Sequence, residues 1–263
     1  MPEDNTLLDR DGVRLTVEGA VAHVTLCNPA RRNAQSPALW RALVEAGRLL
    51  PGQVRVVVLR GEGVSFSAGL DRQAFTPGGF DGEPSFLDLG RAPEKELDAT
   101  IEEYQEAFTW WRRTDLITVA AVQGHAIGAG FQLALACDLR VCADDAQFAM
   151  RETSLGLVPD LTGTKPLAEL VGYGRALEMC VTGRFVRAEE AERTGLANLV
   201  VPAAELGAAV ADLVAALVAP PRDAVNETKA LLRSAAGRTA TEQFAAERSA
   251  QGRRLRDLAG LGE

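Results

Sequence analysis

The sequence predicts an α/β core that passes into a helical C-terminal part. Three observations point there: a strand ending in a glycine-rich turn within residues 118–138, a second strand ending the same way within 54–71, and helical periodicity from residue 164 onward. The clearer unit reads TVAAVQGHAIGAGFQLALACD. Its first five residues are short, apolar and β-branched, the pattern of a buried strand. Gly124, Gly128 and Gly130 follow within seven residues, and apolar helix formers fill 131–137. Glycine lets backbone N–H groups approach a ligand, and a helix N-terminus presents unpaired N–H groups and partial positive charge. Such a turn suits a phosphate, or the oxygen of a carbonyl that becomes an enolate.

Other readings of the stretch are weaker. Residues 116–137 carry no charge over 22 positions, long enough for a membrane span. Gln123, His125, Gln132 and three glycines interrupt it and no second such segment exists, so no membrane partner is expected. A dinucleotide turn needs G-x-G-x-x-G at a first βα unit, and Leu133 stands where the third glycine belongs. A purely structural glycine turn is the alternative that this stretch alone leaves open.

In chain order, residues 13–17 and 21–26 read as strands around the turn Glu18-Gly19-Ala20. Asn28-Pro29 ends the second strand. Ser36 is a candidate N-cap with Pro37 in the first turn, and Leu39, Leu43, Ala46 and Leu50 mark one apolar helix stripe. Residues 54–59 read as a strand buried on both faces. Residues 72–97 are rich in Gly, Pro and charge and read as a long surface segment. A helix is expected over 99–113, with Trp110 and Trp111 at its end, adjacent residues that face different ways. Short strands follow at 138–143 and 147–150, then a loop to Gly163. Helices are expected at 164–171, 174–182, 188–194, 203–218, 224–235 and 239–258, with Pro220-Pro221 as a break.

Composition narrows the classes. A chain of 263 residues holds one large domain or two small ones, with a sizeable core. A net charge of −8 argues against nucleic acid. The polar, acidic start MPEDNTLLDRDG is unlike a signal peptide, and Cys27, Cys137, Cys142 and Cys180 are scattered in apolar contexts, so a cytoplasmic setting is expected. With His23 and His125 the only histidines, a histidine metal site is not expected. Ser65 and Ser67 lack the G-x-S-x-G context of a serine nucleophile.

Loops leaving the same ends of parallel strands converge, so N–H groups from the two glycine turns can meet at one carbonyl oxygen. The residues there carry a resemblance. Phe66-Ser67-Ala68-Gly69-Leu70-Asp71, then Gly124-His125-Ala126-Ile127-Gly128-Ala129-Gly130, Leu133-Ala134 and Cys137-Asp138 resemble the crotonase superfamily, the enoyl-CoA hydratases and isomerases. Asn28-Pro29, Asn33-Ala34, Phe148, Glu152, Gly156-Leu157-Val158-Pro159 and Thr182-Gly183-Arg184 extend the match over about 13–229. The resemblance implies a crotonase-like spiral of ββα turns over residues 1–200 and a helical trimerisation region over 201–263. It implies an acyl-CoA thioester as partner, with its carbonyl held by the N–H groups of Ala68 and Ala129, and a homotrimer or hexamer. It implies no metal and no cofactor beyond the coenzyme A of the substrate. Arg32, Ala34, Asp71 and Gly128, with Ala68, fall on the CoA side.

Two positions depart from the hydratase pattern. The two glutamates that activate water in the family's hydratases fall on Gln132 and Glu152. Gln132 can hold a water but cannot exchange a proton near neutral pH. Asp160 lies eight residues after Glu152, where some of the superfamily's isomerases carry an acid. It also reads as the N-cap of a helix starting near Leu161. The expectation is therefore a 3→2 double-bond shift in an enoyl-CoA. The alternatives are a hydratase in which Gln132 positions water, and an acyl-CoA-binding protein without chemistry.

Overall fold

The computed structural model describes residues 5–80 and 82–261. The first four residues of the leader reading, and the outer ends of the expected 1–200 and 201–263 parts, lie outside the described residues. The chain opens with β1 (Thr6–Arg10), β2 (Val13–Glu18) and β3 (Val21–Leu26), an antiparallel meander. β1 has no counterpart in the sequence reading. It is an edge strand with one buried residue, Leu8, and its polar sequence hides the alternation. α1 (Pro37–Leu49) starts where expected, the Leu39 N–H donating to Ser36 Oγ at 3.2 Å. β4 (Val56–Gly61) is buried along its four apolar residues, as a strand covered on both faces must be.

The described residues between 72 and 97 hold more regular structure than their composition suggests. They hold a 3-10 turn, Arg72–Phe75, and a short helix, α2 (Phe86–Leu89), whose Asp88 N–H donates to Ser85 Oγ. α3 (Glu94–Thr109) follows, then β5 (Ile117–Val122), a short strand β6 (His125–Ile127), and α4 (Ala129–Ala136). α4 is buried on every side, which explains its lack of polar residues apart from Gln132. β7 (Leu139–Ala143), β8 (Gln147–Ala149), α5 (Thr164–Val171) and α6 (Tyr173–Thr182) come next. Two strands interrupt the expected all-helical remainder: β9 (Val186–Arg187) before α7 (Ala188–Arg193), and β10 (Leu199–Val201) after it. Both are too short to show a period of two. α8 (Leu206–Val218), α9 (Arg222–Ala235) and α10 (Ala240–Leu258) complete the chain.

The large sheet runs β1-β2-β3-β4-β5-β7-β10, parallel from β3 onward, and the small sheet runs β6-β8-β9. β5 leads into β6, and β7 into β8, so each turn of the chain gives one strand to each sheet. Isolated bridges Gln35–Leu70 and Ser67–Ala126 extend this second layer to the earlier turns. This is the ββα spiral of a crotonase-type fold. The bridges bring both glycine turns together at one edge.

On α8, Val210 and Val214 pack on Val56, Val58, Val119 and Val141 of the chain's own sheet, with Leu206, Leu213 and Leu217 half-buried around them. α9 is fastened by Lys229, whose Nζ donates to Asp138 Oδ2 at 2.6 Å and to the Leu116 carbonyl at 2.7 Å. Burying that ammonium requires such partners, because an unpaired buried charge is strongly destabilising. Among the described residues no single helix is long and apolar enough to cross a membrane.

Candidate active site

A cavity of about 330 Å³ opens beside the two glycine turns, with Leu70, Ala129, Glu152 and Asp160 among its lining residues. Trp40 and Tyr104 form part of its apolar wall. Phe75, Phe86, Leu89 and Leu97 of the 72–97 segment supply more of it. That segment was expected only as surface, because its apolar residues follow no regular period. Trp110 and Trp111 do not line the cavity. Trp111 is fully buried, its indole N–H donating to the Ala107 carbonyl, and Trp110 stacks on it at 3.9 Å. A larger cleft of about 700 Å³, where α4 ends against α5 and α9, is lined by Lys165 and Glu169, which pair with each other, by Asp138, which pairs with Lys229, and by Arg112, Arg140, Arg233 and Arg238, which donate to carbonyl oxygens.

The first turn corrects one expected donor. The Ala68 N–H donates to the Arg32 carbonyl at 2.8 Å and is unavailable to a ligand. Gln35 N–H donates to Gly69 O, and Asp71 N–H donates to Gln35 O, both at 2.7–2.8 Å. Between them the Leu70 N–H has no partner among the described residues. Gly69 sets this direction with φ +85°, and a Cβ there would lie 2.3 Å from the Ile127 carbonyl oxygen and 3.5 Å from Ala129 N. The two turns therefore touch at Ala129. Ala129 is the first residue of α4, where an N–H has no intrahelical acceptor and the helix end adds partial positive charge. The available pair of donors is thus Leu70 and Ala129. Only the left-handed Gly69 reveals which N–H faces outward, and φ is not written in the sequence.

The acids lie on the same cavity. Glu152 begins a 3-10 turn, Glu152–Leu155. Its Oε1 accepts from Gln132 Nε2 at 2.7 Å, while its Oε2 is buried without a partner. Burial pushes the carboxyl above the usual carboxylate range against the pull of its hydrogen bonds, and the Asp160 charge adds to the rise. Gly128 sits against this group, not in a nucleotide loop: a Cβ at its φ +51° position would lie 3.2 Å from Glu152 Oε1. Asp160 is not a helix cap. α5 begins at Thr164 with Gly163 as its N-cap, and no side chain caps it. The Asp160 carboxyl accepts no hydrogen bond from another described residue, and burial raises it as well.

Gln132 is 1% exposed and is not placed to hold water through its carbonyl. Its Oε1 accepts from Leu161 N at 2.9 Å and Gly163 N at 3.2 Å, which uses both lone pairs.

The expected CoA-side residues divide. Asp71 is committed elsewhere: it pairs with Arg31 at 2.7 Å and accepts from Gln73 N, capping the 3-10 turn. Arg32 is exposed, stands at φ +50° and makes no ion pair among the described residues. Ala34 is half-buried beside it, its N–H donating to the Arg31 carbonyl. Asn33, which the sequence did not single out for structure, fixes this loop. Its side-chain amide donates to Glu62 O, Ser65 O and Phe66 O, and its Oδ1 accepts from Asn28 N.

Residues 16–257 match the family model for enoyl-CoA hydratase/isomerase. A Thermobifida fusca YX protein assigned as an enoyl-CoA hydratase, solved in complex with CoA, is similar over 95% of both chains, with TM-score 0.89 and 50% identity. The human mitochondrial Δ(3,5)-Δ(2,4)-dienoyl-CoA isomerase is 35% identical over 214 residues, which are 80% of this chain and 64% of that protein. The carnitinyl-CoA dehydratase of Escherichia coli O157:H7 is 32% identical over 255 residues, 91% of this chain and 87% of the relative. The match over nearly the whole chain, on the same ββα spiral, shows that the chain belongs to the enoyl-CoA hydratase/isomerase family.

Proposed function

We propose that the protein binds an unsaturated acyl-CoA and shifts its double bond, most directly from the 3- to the 2-position. The observation that carries this reading is the pair Glu152 and Asp160, two half-buried carboxyls on one cavity, beside a glutamine whose carbonyl is fully engaged. The thioester oxygen is held by the N–H groups of Leu70 and Ala129. Glu152 takes a proton from C2, and the resulting enolate is stabilised at that oxygen. A carboxylic acid, Glu152 itself or Asp160, returns a proton at C4. No step needs a cofactor beyond the CoA moiety of the substrate. The same pair serves a 3,5-diene, the substrate class in the human relative's name, with the proton returned farther along the chain.

Hydration fits less well. It must activate water and also protonate C2, and Gln132 offers no free acceptor. Supply of 3-enoyl-CoA and 2-enoyl-CoA to the same preparation tests the reading by following the ultraviolet absorbance of the conjugated thioester. Faster isomerisation than hydration is expected; the opposite order overturns it. Assembly as a trimer is also proposed. It is supported by the stripe Tyr173, Leu177 and Val181 on α6, which is exposed at helical spacing. Light scattering of a stable monomer at micromolar concentration would contradict it.

A further inference from the structure

We propose that Gln132 is a positioning residue that ties the two acids into one unit, its amide holding Glu152 and its carbonyl holding the loop that carries Asp160. The inference rests on the isomerase reading and says how that site keeps its geometry.

The orientation of the amide follows from its neighbours. Leu161 and Gly163 both present backbone N–H groups, so the atom facing them must be the oxygen. The NH₂ then faces Glu152, where it donates to Oε1 at 2.7 Å. Between the two N–H groups lies Thr162 at φ +65°, a left-handed conformation unfavourable to a β-branched residue. Gly163 passes directly over the glutamine, and a Cβ there would lie 2.7 Å from Gln132 Cγ. The loop following Asp160 is therefore bent over Gln132 and held by it. At the other end, fixing Oε1 leaves Oε2 as the oxygen of Glu152 without a partner. That assigns proton transfer to Oε2 and fixes the rotamer from which it acts.

A merely structural glutamine predicts a different response from a tether. Q132M keeps the volume and removes both bonds. A misplacement near 1 Å costs about 10²-fold in rate. The expected result for Q132M is a fall in kcat of about 10²-fold with KM changed by less than about threefold, because the CoA contacts lie elsewhere. Loss of a donor to the charged carboxylate also raises the carboxyl, so the acidic limb of the kcat–pH profile moves to higher pH. A folded Q132M with the wild-type kcat and limb overturns the tether. Q132E is the second variant. It keeps an acceptor for Leu161 and Gly163 but places a like charge beside Glu152, so it is expected to fold and to move the limb up. A wild-type limb in Q132E also overturns the proposal. An inactive wild type takes down the isomerase reading and the tether together; an active wild type with wild-type kcat and limb in the folded Q132 variants takes down the tether alone.

Discussion

Glu152 and Asp160 face one cavity but are held in different ways. Glu152 has one oxygen fastened by Gln132 and one left free, while Asp160 takes no hydrogen bond from a neighbour and owes its place to the path of its backbone. That backbone is fixed from both sides: Gln105 Nε2 donates to the Asp160 carbonyl at 2.6 Å, and Gln132 holds the next turn. The difference teaches which group can act as a defined base. A carboxyl with a fixed rotamer presents the same lone pair at every turnover. A carboxyl without partners can adjust to chains whose unsaturation lies at different distances from the thioester.

The most severe way to break the comparison is to remove the first acid. E152Q is expected to lower the isomerase rate by about 10³-fold, within the range for a general base, with KM little changed. Retention of more than a tenth of the wild-type rate would pass the base role to Asp160.

Removing the oxyanion donor tests whether both acids serve an enolate at all. A129P deletes an N–H at the first position of α4, where proline is compatible with a helix, so the fold is expected to survive. Loss of one such donor costs about 10²–10³ in rate. L70P makes the matching deletion in the other turn and is expected to cost less, because no helix end adds charge there. If A68P proved as damaging as L70P in a folded protein, the assignment of Leu70 over Ala68 would fail.

The two regions also differ in how much of them was legible in the sequence. The paired glycine turns, α1 with its Ser36 cap, and the bounds of α5 follow from local rules and hold in the structure. Glu152 and Asp160 were legible as candidates only through the family resemblance. Their division of labour was not, because it depends on contacts between residues 20 to 31 positions apart, such as Gln132 with Glu152 and with Gly163. Ala68 was misread for a related reason: its N–H meets a carbonyl from the Arg32 loop, a partner that no local pattern announces. The wall formed by Phe75, Phe86 and Leu89 was missed because a cavity asks for apolar surface, not for periodicity.

D160N sharpens the comparison on the rate side. It is expected to slow isomerisation by about tenfold, less than E152Q, since one base can serve both carbons if it reaches them. A D160N rate as low as that of E152Q would make the two acids equal partners. Substrate choice offers a finer reading of the same variant, because a diene that returns its proton far from C2 should lose more than a simple 3-enoyl chain.

The smallest expected effect is on stability, and its sign follows from burial. Asp160 titrates above the usual aspartate range in the folded chain because desolvation disfavours the charged carboxylate. Below the unfolded value both states are protonated and no penalty exists. Between the unfolded and the folded value the unfolded chain releases its proton while the folded chain keeps it, so stability falls across that window and stays lowered above it. The neutral amide of D160N escapes this cost. D160N should therefore melt a few degrees above the wild type at pH 8, and the two curves should converge toward pH 3.5. E152Q should gain less, because the wild-type carboxylate keeps its bond from Gln132 and the new amide must turn its oxygen to accept it. Thermal melts of the three proteins across this pH range read the order directly. A D160N protein less stable than the wild type at pH 8 would mean that the Asp160 carboxylate is held by a favourable contact, and the distinction between the held and the unheld acid would fall.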